Sequence, residues 1–119
     1  RLGMSICYDL RFPNLYKKLA KKGADFFSIP AAFTYTTGKV HWHSLLKARA
    51  IENGCYIFAP AQCGSHDNGR ITYGHSMIIN PWGQVLKEAE EKVSIINQKI
   101  SLDIIHKVRK QIPSTRCFD

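Results

Sequence analysis

The stretch Ser5-Ile6-Cys7-Tyr8-Asp9-Leu10-Arg11-Phe12-Pro13 decides how the rest of the chain is read. Leu2 to Ile6 has the apolar character of a short buried strand. Pro13 suits the first turn of a helix, where a missing N–H costs nothing. Cys7 therefore sits where a strand gives way to a helix. Such a position favours a nucleophile, because a helix N-terminus lowers a thiol pKa. Its free N–H groups can also hold an oxyanion. The same position suits a buried structural cysteine, and the residues alone leave both readings open.

Working outward, the chain alternates strand and helix. Phe12 to Lys22 has an amphipathic pattern, with Leu15, Leu19 and Ala20 on one side and lysines on the other. Gly23 is placed to end it in a left-handed conformation. Asp25 to Ile29 reads as a second strand, completing a short parallel strand–helix–strand unit. Pro30 to Gly38 reads as a loop leaving the end of that strand, so it should meet Cys7, since parallel sheets place their sites at those ends. A second helix is expected from Val40 to Asn53, stopped by Gly54. Cys55 to Ala59 is almost wholly apolar and reads as a third strand, covered on both faces.

Ala61 to Arg70 carries Gly64, Asp67, Asn68 and Gly69 and reads as a polar loop. Strands are expected over Gly74 to Ile79, Gln84 to Glu88 and Val93 to Ile100, the first two joined by the turn Asn80-Pro81-Trp82-Gly83. Leu102 to Gln111 reads as a last helix, stopped by Pro113, and Ser114 to Asp119 as a tail. No repeat or low-complexity segment interrupts this order.

The 119 residues fit one domain, and 45% hydrophobic content could support a core. The chain nonetheless opens with Arg1-Leu2-Gly3-Met4, directly inside strand-like sequence. The expectation is therefore the C-terminal portion of a single larger domain, spanning 1–119. The formal charge of +8 comes from 17 basic and 9 acidic residues. The basic residues are dispersed, densest at Lys17-Lys18 and Lys21-Lys22, like the solvated face of a helix. Without an aromatic-basic motif, nucleic-acid binding is not expected. No apolar run reaches membrane-span length. Cys7, Cys55, Cys63 and Cys117 form no Cys-x-x-Cys pair, which points to reduced thiols and a cytoplasmic location.

Other polar residues divide as follows. His41 and His43 would point about 200° apart on a helix and cannot readily share a metal. With His66, His75 and His106 scattered, no metal site is expected. Arg11, four residues after Cys7, would lie one helical turn from the thiol. It suits a substrate carboxylate or a structural pair with Asp9 or Glu52. Glu52 reads as an ion-pair partner of Arg49 or another arginine rather than a general base. Asp9 reads as a positioning residue.

The segment Cys7-Tyr8-Asp9-Leu10-Arg11-Phe12-Pro13 resembles the nucleophile region of the nitrilase-related carbon–nitrogen hydrolases. Further matches follow in the same order: Pro30-Ala31-Ala32-Phe33-Thr34, Thr37-Gly38, His41-Trp42, Ala48-Arg49-Ala50-Ile51-Glu52-Asn53, Tyr73-Gly74-His75-Ser76 and Pro81-Trp82-Gly83. The resemblance runs to about Pro113 and is nearest to the Nit branch, which includes deaminated glutathione amidase and omega-amidase.

This resemblance implies an α/β fold that is part of an α-β-β-α sandwich, incomplete at its N-terminus. It implies hydrolysis of a small carboxylated non-peptide amide through a cysteine thioester, without cofactor or metal. Cys7 would be the nucleophile and the Tyr8 backbone N–H an oxyanion donor. Arg11, Phe33 and Thr37 would bind substrate, although Phe33 and Thr37 could equally be loop packing. The family's Glu and Lys would lie upstream, leaving this chain inactive by itself. A homo-oligomer is implied, with the helix after Cys7 at its surface. The competing expectation is a non-catalytic binding or assembly fragment.

Overall fold

The structure, a computed structural model, describes residues 1–117. Three short parallel strands form its spine: β1 (Leu2–Met4), β2 (Phe26–Ser28) and β3 (Tyr56–Ala59), with Gly3, Phe27 and Ile57 in register. The small antiparallel hairpin of β4 (Cys63–Ser65) and β5 (Ile71–Tyr73) stands apart from this sheet. The strands β6 (Met77–Ile79) and β7 (Val85–Glu88) then add antiparallel, giving the order β1-β2-β3-β6-β7.

Helices fill the connections. A 3₁₀ turn over Cys7–Arg11 leads into α1 (Pro13–Lys21), and α2 (Tyr35–Asn53) joins β2 to β3. Pro13 is at the first helical position, and Gly23 follows α1 at φ 95°, donating its N–H to Ala20. Gly54 caps α2 in the left-handed conformation and donates to Ala50. The chain continues through α3 (Asp103–Gln111) to a short helical turn, α4 (Ser114–Cys117). The segment read as a tail is thus helical as far as it is described, and residues 118–119 lie outside the described residues.

One sheet face is buried by the helices. Trp42, Leu46 and Ala50 of α2 and Tyr16 of α1 join Phe27, Ile57 and Ile79 in a single core cluster, all at 0% exposure. Burying each large apolar side chain contributes about 1.5–3 kcal/mol. On the other face the rings of Phe26, Tyr56 and Phe58 stack at 5.6–5.9 Å. Leu2 and Met4 share that face and remain open to solvent, Met4 at 76%.

The expected polar loop from Ala61 to Arg70 carries the strand β4, and two further expectations need correction. The loop before the second helix is shorter than expected, because α2 begins at Tyr35 and takes Thr36, Thr37 and Gly38 into its first turn. Val93 to Ile100 forms no strand. Val93 is 95% and Ile95 88% exposed, so this alternating apolar run has no neighbouring strand among the described residues. No helix among the described residues is long and apolar enough to cross a membrane.

Candidate functional site

Backbone pairing continues past the ends of the parallel strands and builds one rim of the site. Ser5 N–H donates to Ser28 at 3.1 Å and Cys7 N–H to Pro30 at 2.8 Å. Ala31 N–H donates to Pro60, and Gln62 N–H returns to Ala31, each at 2.9 Å. Ser76 extends this ladder with its side chain, its Oγ accepting the Ala61 N–H at 2.8 Å. The result is an open cavity of about 500 Å³ at the C-terminal ends of the strands. Its wall includes Cys7, Ala31, Ala61, Gln62, Ser76 and Ser94, and none of its lining side chains is charged.

Cys7 holds a backbone conformation that few non-glycine residues adopt, with φ 48°. Such a conformation costs of order 1–3 kcal/mol and persists only when surrounding contacts impose it. Here the Cys7 N–H is tied to Pro30, while the Asp9 carboxylate accepts the Ile6 N–H at 2.9 Å. Asp9 is thus the positioning residue expected of it. The Tyr8 N–H lies in the first 3₁₀ turn, ahead of the first internal bond, which Asp9 N–H makes to Ile6. The Tyr8 ring itself is exposed and packs edge-on against Phe12 at 5.6 Å.

Arg11 does not reach the wall of this cavity. The expected α-helix would have put it on the thiol's side. A 3₁₀ turn has about 3.0 residues per turn, so a residue four positions on is rotated by about 120°. The guanidinium lies 5.2 Å from the Phe33 ring centroid and 5.7 Å from that of Tyr8. One of its nitrogens is 3.2 Å from His41 Nδ1. Neither of the structural partners considered for it, Asp9 or Glu52, takes it.

Phe33 and Thr37 are also away from the cavity wall. Phe33 is buried beneath Arg11 and braced on Trp42, ring centroids 4.9 Å apart. Thr37 closes the start of α2, its Oγ1 2.8 Å from that of Thr34 and donating to the Thr34 carbonyl at 3.3 Å. Glu52 pairs with Arg49 at 3.2 Å, as its place on the helix implied. His41 and His43 diverge to separate partners, His43 Nε2 lying 2.8 Å from Glu88. Among the described residues no cluster of His, Cys, Asp and Glu could hold a metal ion.

Sequence reasoning assigned no role to Ser76 or Gln62. Its one available signal was Gly74-His75, both of which take positive φ and bend the chain so that Ser76 faces Ala61. The Trp42 indole pins the bend by donating to the His75 carbonyl at 2.9 Å. The other cysteines have different surroundings. Cys55 is fully buried, and that burial pushes its thiol up to about 11 against the pull of the neighbouring Arg109. Cys63 is half-buried in the β4 strand.

A deaminated glutathione amidase of Synechocystis sp. is 56% identical over 113 residues, 95% of this chain and 42% of that protein. The chain therefore spans well under half the length of that relative. The crystal structure of the Caenorhabditis elegans NitFhit protein matches with a TM-score of 0.92 and 49% identity, over 95% of this chain and 27% of that one. An amidase from Nesterenkonia sp. AN1 matches at 33% identity and a TM-score of 0.69, over 76% of this chain and 34% of that one. That structure is of a mutant form of the amidase and shows covalent addition of the acetamide moiety of fluoroacetamide at the active-site cysteine. The carbon-nitrogen hydrolase profile spans residues 1–110, and with a mixed α/β fold shared with these structures, the chain belongs to the carbon-nitrogen hydrolase family.

Proposed function

We propose that this chain supplies the nucleophile half of an amidase site, and that it is the C-terminal portion of a longer hydrolase domain. The observation that carries the reading is Cys7: a half-buried thiol on a strained strand-to-helix turn, opening onto the cavity at the strand ends. The covalently modified cysteine of the Nesterenkonia amidase supports the same assignment.

In this reading the Cys7 sulfur attacks the carbonyl carbon of a primary amide. The Tyr8 N–H, not used inside the turn, stabilises the developing oxyanion. Collapse breaks the C–N bond, and the departing NH2 group takes up the proton lost by the thiol and leaves as ammonia. Water then cleaves the thioester to give the carboxylic acid and free Cys7. Proton transfer needs a positioned acid and base. The cavity wall formed by the described residues offers only the uncharged Gln62, Ser76 and Ser94 beside the thiol. We assign that work to a Glu and a Lys from the remainder of the whole protein, as the resemblance implies.

The substrate class is a small amide bearing a carboxylate. The relative from Synechocystis is named for deaminated glutathione, which supports this class. Arg11 is the carboxylate-binding group, seated on Phe33 beyond the nucleophile turn, while Thr37 fixes the start of α2 below it. The test is ammonia release by the whole protein from small carboxylated amides. Cys7→Ser should lower the rate about a thousandfold or more, as loss of a nucleophile does. Wild-type rates in Cys7→Ser would contradict the reading, and ammonia release absent even from the unaltered protein would favour a non-catalytic fragment.

A further inference from the structure

The contact between Arg11 and His41 has a defined polarity. The guanidinium possesses donors only, and its NH1 stands 3.2 Å from His41 Nδ1. In this hydrogen bond Nδ1 is therefore the acceptor, and the ring's N–H is on Nε2. The same guanidinium is bounded by the rings of Phe33 and Tyr8. Phe33 is only 7% exposed and is held by Trp42, so that support is rigid. Among the described residues, the remaining N–H groups of Arg11 donate to no one.

An unrestrained arginine loses rotamer entropy when a ligand orders it. A group ordered beforehand loses less on binding. Phe33 supplies a flat support but cannot fix rotation about the ring normal, since a ring face has no directional acceptor. His41 supplies that missing direction. It comes from the solvent-exposed side of α2, and its neighbour on the helix, His43, is turned away to Glu88.

We infer that His41 is the positioning residue for Arg11: by accepting one N–H it presents the rest of the fork to the substrate carboxylate. This rests on the reading of Arg11 given above. His41 touches neither the amide nor the thiol in this account, so its effect falls on carboxylate binding and not on bond cleavage.

The test measures kcat and KM in the whole protein for a carboxylated amide and for its uncharged isostere. Four variants are compared: His41→Leu, His41→Asn, Arg11→Met and the Arg11→Met/His41→Leu pair. Loss of one such hydrogen bond should raise KM for the carboxylated amide about three- to tenfold in His41→Leu. The uncharged amide and both kcat values should change less than about twofold, because bond cleavage loses no interaction. Asn carries an acceptor oxygen close to the place of Nδ1, so His41→Asn should recover most of the KM. In the Arg11→Met background, His41→Leu should add nothing further. A His41→Leu loss equal on both amides, or undiminished in Arg11→Met, overturns the proposal for His41. Equal losses on both amides in Arg11→Met itself overturn the reading of Arg11, and the inference falls with it. A selective Arg11→Met beside an unselective His41→Leu overturns the inference alone.

Discussion

The Arg49 guanidinium donates twice to the carbonyl of Leu10, at 3.0 Å from Nε and 2.8 Å from NH2. The two residues are 39 positions apart, and both are buried. Leu10 belongs to the 3₁₀ turn that begins at Cys7, and Arg49 lies near the end of α2. The bond therefore ties the nucleophile turn to the helix that covers the sheet. Its third nitrogen pairs with Glu52, and the guanidinium lies over the Tyr16 ring at 5.6 Å. The helix that presents His41 toward Arg11 thus also anchors the turn that presents Cys7.

Replacing Arg49 by Met should destabilise the protein by about 2–3 kcal/mol, because the Leu10 carbonyl is left buried without a donor. Arg49→Lys should recover only part of this, since an ammonium cannot reproduce the planar two-nitrogen contact. Chemical denaturation of the two variants measures both effects. An unchanged midpoint in Arg49→Met would mean that the turn is held by its own backbone bonds.

Cys55 provides a prediction about pH. Burial raises its thiol from an ordinary value of 9.0 to about 11, so the folded protein holds this proton more tightly than the unfolded chain. The stabilisation is complete below pH 9, where both states are protonated. It is lost as pH rises from about 9 to about 11, because only the unfolded chain ionises there. The loss should amount to about 2–3 kcal/mol by the usual conversion of pKa difference to free energy. Denaturation midpoints measured across this window should fall, and Cys55→Ala should remove this part of the slope. An identical slope in Cys55→Ala would assign the alkaline loss to other groups.

The spine of the fold was legible because its signals are local and strong. Apolar runs at Phe26–Ser28 and Tyr56–Ala59, punctuation by Gly23 and Gly54, and the lysine-rich side of α1 all act within a few residues. The misread elements depend on neighbours distant in sequence. Gly38 looks like a helix break, but it sits within α2 because Tyr73 passes so close that an added Cβ would lie 2.5 Å from Tyr73 Cβ. The β4–β5 hairpin hides in turn-forming residues, since each strand is only 3 residues long. Val93 to Ile100 has the alternation of a strand, yet alternation supplies no hydrogen-bonding neighbour.

The site divides in the same way. The place of Cys7, where a strand gives way to a helix, was readable, while its role as a nucleophile came from the resemblance and not from that position. The 3₁₀ form of the turn that bears Arg11 was not readable, because Pro13 and the apolar spacing fit either helix type. Ser76 comes to the cavity through a backbone bend at Gly74 and His75, which the sequence marks only with one glycine.

The outer sheet face yields a third prediction. Leu2, Met4, Phe26 and Phe58 form an apolar surface on the side away from α1 and α2, with Met4 76% exposed. Contiguous apolar surface of this kind is a contact site in most proteins. Residues 1–119 expressed alone should bind a fluorescent apolar dye, and the whole protein should bind much less per molecule. Equal dye binding by both would mean that this face stays open in the whole protein.

The central claim is that Cys7 becomes acylated during turnover. Acid quenching of the whole protein during hydrolysis of an isotopically labelled carboxylated amide, followed by peptide mass spectrometry, tests it directly. The account predicts the substrate's acyl mass on the Cys7 peptide and none on those of Cys55 or Cys63, with the adduct disappearing as the amide is consumed. An acyl group on Cys55 or Cys63 with Cys7 unmodified would contradict it.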